Sequence, residues 1–321
     1  MHNNIFRPVF IEDFIGNKEI IDNLKVYMFS AIKRKTNLDH LLFSGPPGVG
    51  KTSLANIIAK EMGVKITTIS GSNIEKISDL ITVLSSINKN DILFIDEIHR
   101  LQPEFEEILY SVMEDFKIPI NYHSEEANKI IEVGVEPFTL IGATTKIGNI
   151  TAPLRDRFGI KFNFSLYSND ELKQILKINA EKLSLSIDDD ALLEIAKRSK
   201  FTPRIAINFL KRINDFAVFE KISFLNKFFI ESVFKKLKID EYGLTNEDYS
   251  IIKILYENYH NNPVSLKSIS ILMHETITNL ENIYEPYLVY LGIIERTIRG
   301  RKLTSFGKEI YFEKIFDKKM F

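Results

Sequence analysis

The chain has 321 residues, of which 45% are hydrophobic and 26% charged, as in a globular protein of two or three domains. A net charge of −1 excludes a globally basic surface for nucleic acid, so any such surface has to be local. The absence of cysteine excludes disulfides and thiolate metal sites, and neither a signal-peptide pattern nor a membrane-length apolar run is present. We therefore expect a cytoplasmic protein without membrane contact.

Short apolar segments alternate with amphipathic ones over the first half of the chain. Five of them are short, rich in branched or aromatic residues and bounded by polar or glycine-containing turns, which predicts strands. These segments are 40–45, 64–70, 91–96, 138–145 and 160–166. Helical patterns such as 51–63 lie between them. Strands separated by helices predict an α/β domain over 1–167, with a parallel sheet covered by helices on both faces.

Only helices are predicted over 168–238. Ser168 and Glu171 form a capping-box pattern before the first of them. Thr202 and Pro203 are suited to begin the third. We expect a small helical domain here.

The last segment, 239–321, combines helices with a basic hairpin. Helical patterns at 246–258, 265–273 and 276–291 precede two short strand-like pieces around Arg299 and Gly300. This order is typical of a winged helix-turn-helix, which binds DNA.

The stretch GPPGVGKT, from Gly45 to Thr52, lies between a predicted strand and a predicted helix. Its glycines allow backbone N–H groups to turn towards phosphates, and the helix N-terminus adds its dipole. In this pattern Lys51 binds the β- and γ-phosphates and the Thr52 hydroxyl binds Mg²⁺. The stretch therefore predicts a nucleotide site, with a glycine-rich turn bearing a solvated lysine as the alternative.

Two acidic residues, Asp96 and Glu97, end the apolar run ILFI, where ligands of open α/β sheets collect. We predict that Asp96 holds Mg²⁺, largely through water, and that Glu97 orients or deprotonates the attacking water. A helix N-cap is the alternative for such a pair. Thr144 and Thr145 end another predicted strand, where a polar side chain could lie between the acidic pair and the γ-phosphate. Taken alone, a threonine there favours a turn cap.

These motifs in this order resemble those of AAA+ ATPases. Further stretches resemble the RuvB family, the bacterial motors of Holliday-junction branch migration. The stretches that make the resemblance specific are LDH (38–40), MEDF (113–116), PLRDRFG (153–159) and RTIRGR (296–301). The resemblance covers nearly the whole chain, and it implies an AAA+ P-loop domain, a small helical domain and a C-terminal winged-helix domain.

The resemblance also implies which residues bind ATP and Mg²⁺. Those implied beside the adenine are Phe6, Arg7, Glu114, Asp115 and Phe116. Those implied at the phosphates and Mg²⁺ are Gly48, Lys51, Thr52 and Ser53, beside Gly50 and Asp96, which the loop and the strand end predict by themselves. Tyr167 and Arg204 are implied to approach from the helical domain. Independently, Arg204 occupies a first helical turn, where a cation is unfavourable unless an anion compensates it. A surface salt bridge is the alternative for Arg204.

Two arginines, Arg155 and Arg157, follow the strand that ends in Thr145. In a doubly wound sheet they should lie on the domain's flank, away from its own phosphate loop. The resemblance implies that Arg157 acts as an arginine finger on the nucleotide of a neighbouring subunit in a ring. Arg155 is expected to have a supporting role, paired with Asp156. A purely structural Arg-Asp-Arg network is the alternative.

Four cations surround Gly300: Arg296, Arg299, Arg301 and Lys302. They predict a DNA surface that contacts phosphates rather than base edges, although a solvated basic hairpin is the alternative. By resemblance, Arg296 and Arg301 contact DNA phosphates. The segment 119–138 should form the hairpin that docks a RuvA-type partner, but its tip, HSEEANK, departs from the family's Gly- and Arg-containing tip.

We favour an ATP-driven motor, a hexameric ring that pulls duplex DNA to drive branch migration of Holliday junctions in recombination and repair, with RuvA-type and RuvC-type partners. One rival is an AAA+ clamp loader or initiator that uses ATP as an assembly switch. Another is a DNA-binding regulator with a structural nucleotide, which would not need a carboxylate such as Glu97.

Overall fold

The computed structural model describes residues 5–123 and 128–316. The chain divides into two compact units. The first comprises Met1–Ile175 with Thr202–Arg204, and the second comprises Leu176–Phe201 with Ile205–Phe321.

The first unit is an α/β domain. Its helices and strands are, in chain order, α1 (Lys18–Arg34), β1 (Leu41–Ser44), α2 (Lys51–Met62), β2 (Ile66–Ser70), α3 (Ile77–Ser85), β3 (Ile92–Asp96), α4 (Pro103–Asp115), β4 (Lys117–His123), β5 (Asn128–Gly134), β6 (Thr139–Thr144), α5 (Ala152–Asp156) and β7 (Ile160–Asn163). A 3-10 turn, Ile98–Arg100, follows β3.

Five of these strands form one parallel sheet in the order β2-β3-β6-β1-β7. All five were predicted from their short, branched-residue-rich runs. Every position of β1 and β6 is buried, so both faces of the sheet are covered. On one face, Leu93, Ile95 and Leu140 pack in a cluster that includes Leu80 of α3 and Leu109 of α4.

Strands β4 and β5 form an antiparallel hairpin with pairs running from Lys117↔Gly134 to His123↔Asn128. The hairpin expected over 119–138 is therefore present in the backbone. Its acidic tip, at 124–127, lies outside the described residues.

The remaining elements fall largely in the second unit. They are α6 (Asn169–Lys182), β8 (Ser186–Ile187), α7 (Asp189–Arg198), α8 (Pro203–Glu220), β9 (Phe224–Leu225), α9 (Lys227–Lys236), α10 (Asn246–Lys253), α11 (Leu266–Met273), α12 (Ile277–Asn279), α13 (Glu285–Tyr290), β10 (Ile294–Thr297), β11 (Gly300–Leu303) and α14 (Ser305–Tyr311).

The helices predicted over 168–238 are present, but the segment is not purely helical. Two residues of β8 pair in parallel with two of β9. The backbone N–H of Asp188 also donates to the carbonyl oxygen of Leu225 at 3.1 Å. The segments just before α7 and α9 thus satisfy each other's backbone groups, which a reading of helical periodicity alone does not reveal.

The predicted winged-helix elements are also present. A core that includes Leu255, Leu288 and Ile293 joins the helices from α10 onwards to the antiparallel hairpin of β10 and β11. The hairpin presents the basic residues at and beside its turn, where Arg296 is level with Arg301. The closing helix α14 was not predicted.

Candidate functional site

The phosphate loop connects β1 to α2. Gly48 and Gly50 have φ values of 81° and 102°, in the left-handed region that side chains rarely adopt. Gly50 is also the residue that caps α2, so the free N–H groups of the helix's first turn face the loop. Thr52 and Ser53 lie in that first turn and are partly exposed. This backbone has the form that cradles an anion.

Lys51 begins α2 and is 8% exposed. Its ammonium donates hydrogen bonds to the carbonyl oxygens of Gly45 at 2.8 Å and Pro46 at 2.7 Å, which closes the loop on itself. Burial lowers the pKa of Lys51 to about 8. The charge of Asp96 opposes this shift, and that of Arg204 adds to it. A desolvated cation in such a place is stabilised when an anion arrives.

Asp96 ends β3 beside the loop. The Thr52 hydroxyl donates to Asp96 Oδ2 at 3.4 Å, and the Glu97 backbone N–H donates to Oδ1 at 3.0 Å. Hydroxyl and carboxylate oxygens are groups that Mg²⁺ prefers, so Thr52 and Asp96 would hold this ion here, Asp96 largely through water. In the described ranges no group of three or more His, Cys, Asp or Glu side chains is placed to hold a metal ion.

Glu97 has φ 50°, a left-handed backbone that is uncommon outside glycine and asparagine. Its carbonyl oxygen is so close to Gly71 that a Cβ atom on that glycine would lie 2.6 Å away. The same carbonyl accepts the Arg100 N–H at 2.8 Å. The Glu97 carboxylate, by contrast, makes a part-exposed ion pair with Arg100 Nε at 2.8 Å. Such pairs are worth about 1 kcal/mol or less, so the backbone is held firmly while the carboxylate can turn.

The end of β6 presents two threonines in different environments. Thr144 is 1% exposed, and its Oγ1 lies 3.0 Å from His99 Nδ1. Thr145 follows it, outside the strand, and is partly exposed. Thr145 is therefore the one open to a ligand. His99 was not predicted as a site residue, and its only signal in the sequence is a polar ring two residues after Glu97 in the run DEIHR.

Tyr167 and Arg204 both lie beside the phosphate loop. The Tyr167 hydroxyl donates to the carbonyl oxygen of Val49 at 3.0 Å, and burial raises the pKa of this tyrosine, which keeps it neutral. A Cβ atom on Gly48 would lie 3.2 Å from Arg204 Cβ. Arg204 is exposed, so its guanidinium remains available to an anion.

The N-terminal segment contributes two of the five residues implied beside the adenine. Phe6 is buried at 8% exposure, and Arg7 next to it is exposed. A buried ring followed by an exposed cation is compatible with packing beside a base.

Phe116, by contrast, lies at the opposite end of the sheet from the phosphate loop. Its ring packs on His40 and Phe138, and His40 precedes β1, whereas the phosphate loop follows it. Glu114 and Asp115 are exposed in the last turn of α4, directly before Phe116. Within one chain these three residues are therefore not brought to the loop.

Arg157 lies at this same end of the sheet. Its Nη2 is 2.7 Å from Glu114 Oε2, and its guanidinium lies 5.5 Å from the Tyr110 ring centroid. The structure thus keeps Arg157 away from the loop of its own chain and groups it with Glu114. Both side chains remain partly exposed, at 35% and 61%.

The expected pairing of Arg155 with Asp156 is wrong. Asp156 instead lies 3.4 Å from Lys161 Nζ. Consecutive residues of α5 point in different directions, so neighbours in sequence do not face each other. The Arg-Asp-Arg network considered as an alternative is therefore not formed.

A buried glutamate organises the basic wing. Glu285 is 2% exposed, and its Oε1 accepts Arg296 Nε at 2.9 Å and Arg301 Nε at 2.6 Å. Lys302 pairs with Glu295 at 2.9 Å. Glu285 belongs to the stretch EPYL, and no role was predicted for it from the sequence. The two arginines implied at DNA phosphates are thus also internal ligands of a carboxylate.

Arg299 lies at the wing's tip, exposed, with no ion pair to any residue in the described part of the chain. Ile298 beside it is fully exposed. Of the four predicted DNA-binding cations, Arg299 is therefore the one most open to a phosphate.

Within the ranges that the structure describes, no helix is long and apolar enough to cross a membrane.

Three family models match consecutive parts of the chain. They describe the Holliday junction DNA helicase RuvB P-loop domain over residues 6–164, the RuvB AAA lid domain over 167–240, and the RuvB C-terminal winged helix domain over 241–311.

Proteins named Holliday junction branch migration complex subunit RuvB are similar along most of their length. The one from Neorickettsia sennetsu is 43% identical over 93% of this chain and 90% of its own length. The one from Campylobacter hominis is 46% identical over 95% of this chain and 89% of its own length. The solved Thermotoga maritima RuvB branch migration motor is similar with a TM-score of 0.88 and 38% identity, covering 97% of this chain and 100% of that chain. The predicted fold class is therefore confirmed.

Proposed function

Since this chain belongs to the RuvB family and is an AAA+ ATPase motor of Holliday junction branch migration, we propose that six copies form a ring that pulls duplex DNA as ATP is hydrolysed. The observation that supports a ring is the position of Arg157, at the end of the sheet opposite its own phosphate loop. A cation there can act on a nucleotide only if a neighbouring copy presents one. Because Glu114 is paired with Arg157, a surface that presents Arg157 to a neighbouring copy presents Glu114 as well.

We propose the following roles within one chain's nucleotide site. Lys51 exchanges its two carbonyl partners for the β- and γ-phosphates, and the loop backbone at Gly48 and Gly50 supplies N–H groups. Thr52 and Asp96 hold Mg²⁺, which would neutralise phosphate charge when bound. Ser53 follows in the same helical turn.

The acidic and polar groups around the γ-phosphate then have separate roles in hydrolysis. Glu97 orients the attacking water and takes up its proton. Thr145 donates its hydroxyl towards the γ-phosphate from the end of β6. Tyr167 and Arg204 close the site beside the loop, and Phe6 with Arg7 receives the base.

We propose that the wing contacts the DNA backbone. The outward cations Arg299 and Lys302 contact phosphates directly, and Arg296 and Arg301 add charge from positions set by Glu285. Contacts of this kind carry little sequence information, as a motor that passes along DNA requires.

Replacing Arg299 with alanine tests this arrangement. We expect weaker duplex binding for all sequences and a slope of log K against log salt that falls by about 1 for each copy in contact with DNA, because each such copy loses one phosphate contact. The measurement is fluorescence anisotropy over a salt series. Lys235→Ala, which removes an exposed cation from α9, is the matched control and should keep the slope. An unchanged slope in Arg299→Ala would remove the tip from the DNA interface.

We further propose that the functions divide at 1–167 for ATP hydrolysis, 168–238 for transmitting its motion and 239–321 for DNA. RuvA-type and RuvC-type proteins are the proposed partners, with the β4–β5 hairpin as the docking site for the first. A cytoplasmic location follows, because that is where bacterial DNA and ATP meet.

The rival is a clamp loader or initiator in which ATP switches assembly. The C-terminal wing favours the motor, because a loader would typically end in an oligomerising helical collar. The test mixes the protein, ATP, Mg²⁺ and a RuvA-type protein with a synthetic four-way junction. We expect the junction to separate into duplex arms, as followed by native gel electrophoresis. Hydrolysis without separation would favour the rival.

A further inference from the structure

We propose that His99 is a positioning residue for ATP hydrolysis, which holds the turn bearing Glu97 against the end of the strand that leads to Thr145. This role of His99 rests on the proposed roles of Glu97 and Thr145 in hydrolysis. The contact that carries it joins His99 Nδ1 to Thr144 Oγ1 at 3.0 Å.

The sheet brings these two segments together. Strands β3 and β6 are parallel neighbours, with Ile95 level with Gly142. This pairing ends two residues before Glu97 on one strand and two residues before Thr144 on the other. The 3-10 turn after β3 then returns His99 towards the same strand end. His99 therefore joins the turn that carries Glu97 to Thr144, the residue before Thr145.

The hydrogen bonds around Thr144 assign the state of the ring. Thr144 Oγ1 accepts the Lys146 N–H at 2.9 Å, and Thr144 is 1% exposed. Its own proton therefore needs an acceptor within the protein, which His99 Nδ1 provides when the ring proton is on Nε2. Burial, the largest influence, lowers the pKa of His99 and so favours this neutral ring.

The turn needs such an anchor because its backbone is unfavourable. Glu97 occupies the left-handed region at φ 50°, and a relaxed turn would point its carboxylate elsewhere. On one side the Glu97 carbonyl is pressed against Gly71. Ile98 is wholly buried and packs close to Gly142. The bond from His99 to Thr144 fixes the other end of the turn, in a direction that packing alone does not specify.

Three variants test the proposal. His99→Ala removes the acceptor, Thr144→Val removes the donor while keeping the side chain's shape, and His99→Asn offers an amide oxygen near the position of Nδ1. We expect kcat for ATP hydrolysis to fall about 10- to 100-fold in the first two, as for small misplacements of catalytic groups. ATP affinity should stay within about twofold by the same reasoning. His99→Asn should recover most of the loss.

The double variant His99→Ala/Thr144→Val should lose no more than Thr144→Val alone, because Thr144→Val already removes the bond to His99, together with the acceptor of the Lys146 N–H. Multiplied losses would overturn the proposal, as would wild-type kcat in His99→Ala or an equal loss of kcat and ATP affinity. Thr144→Val keeps the test open if His99→Ala does not fold.

A spectroscopic measurement needs no hydrolysis. In a chain labelled with ¹⁵N-histidine, the His99 signals are identified by their loss in His99→Asn. We expect Nδ1 to resonate as an unprotonated nitrogen and to shift in Thr144→Val. A protonated Nδ1 would overturn the bond as described. Junction separation by the wild type is followed in parallel, so a failure of the motor proposal is recognised separately from a failure of this one.

Discussion

Replacing Arg157 with alanine is expected to lower ATP hydrolysis by roughly 10³-fold or more, the range for removing an arginine finger. ATP affinity should change little, because Arg157 lies at the far edge of the sheet from its own phosphate loop. The measurements are steady-state phosphate release and equilibrium binding of a fluorescent ATP analogue. Lys161→Ala, which removes a nearby exposed cation of β7, is the control and should retain hydrolysis.

A mixture of two inactive variants shows in which subunit the arginine acts. Arg157→Ala keeps its phosphate loop, and Lys51→Ala keeps its arginine. In a mixed ring, some sites combine an intact loop with an intact neighbouring arginine, so part of the hydrolysis should return. If it does not return at any ratio, although the two variants are found in common rings, the arginine works within its own chain.

Replacing Glu97 with glutamine is expected to lower hydrolysis by about 10²- to 10⁴-fold, since the amide cannot accept the proton of the attacking water. Nucleotide binding should persist because the shape is kept and Lys51, Thr52 and Asp96 are untouched. With ATP present the variant should form a long-lived complex with duplex DNA. Single-turnover hydrolysis and DNA dissociation rates are the measurements.

Two controls separate the carboxylate's role from its ion pair. Glu104→Gln removes an exposed acid of α4 and should leave hydrolysis unchanged. Arg100→Ala removes the partner that lies 2.8 Å from the Glu97 carboxylate and should also allow hydrolysis. More than about a tenth of normal hydrolysis in Glu97→Gln would mean that another group activates the water.

Local patterns were enough to predict most of the fold. The five sheet strands are short runs of branched and aromatic residues, and they form the parallel sheet that alternation with helices implies. The phosphate loop is also local, since consecutive residues determine its turn and its helix start. The pair of β8 with β9 was missed because two-residue strands carry no period.

Side-chain partners were harder to predict, because they join distant parts of the chain. Arg296 and Arg301 look like solvent-facing cations in sequence, yet both bind Glu285. Arg155 beside Asp156 suggested an ion pair, but the helix points the two side chains in different directions, and Asp156 pairs with Lys161 instead. Phe116 was implied beside the adenine, but its ring packs on His40, at the end of the sheet opposite the phosphate loop.

Hydrogen bonds to two loop carbonyl oxygens make the ammonium of Lys51 a structural group of the phosphate loop. On binding, the phosphates of ATP therefore replace the two hydrogen bonds from Lys51 to the loop carbonyl oxygens, and do not simply add bonds to a lysine without partners. Removing the lysine raises the free energy of the empty loop as well as that of the loaded one, and the two changes partly cancel in a measured affinity. A modest affinity loss in Lys51→Ala would then understate how strongly this ammonium binds phosphate.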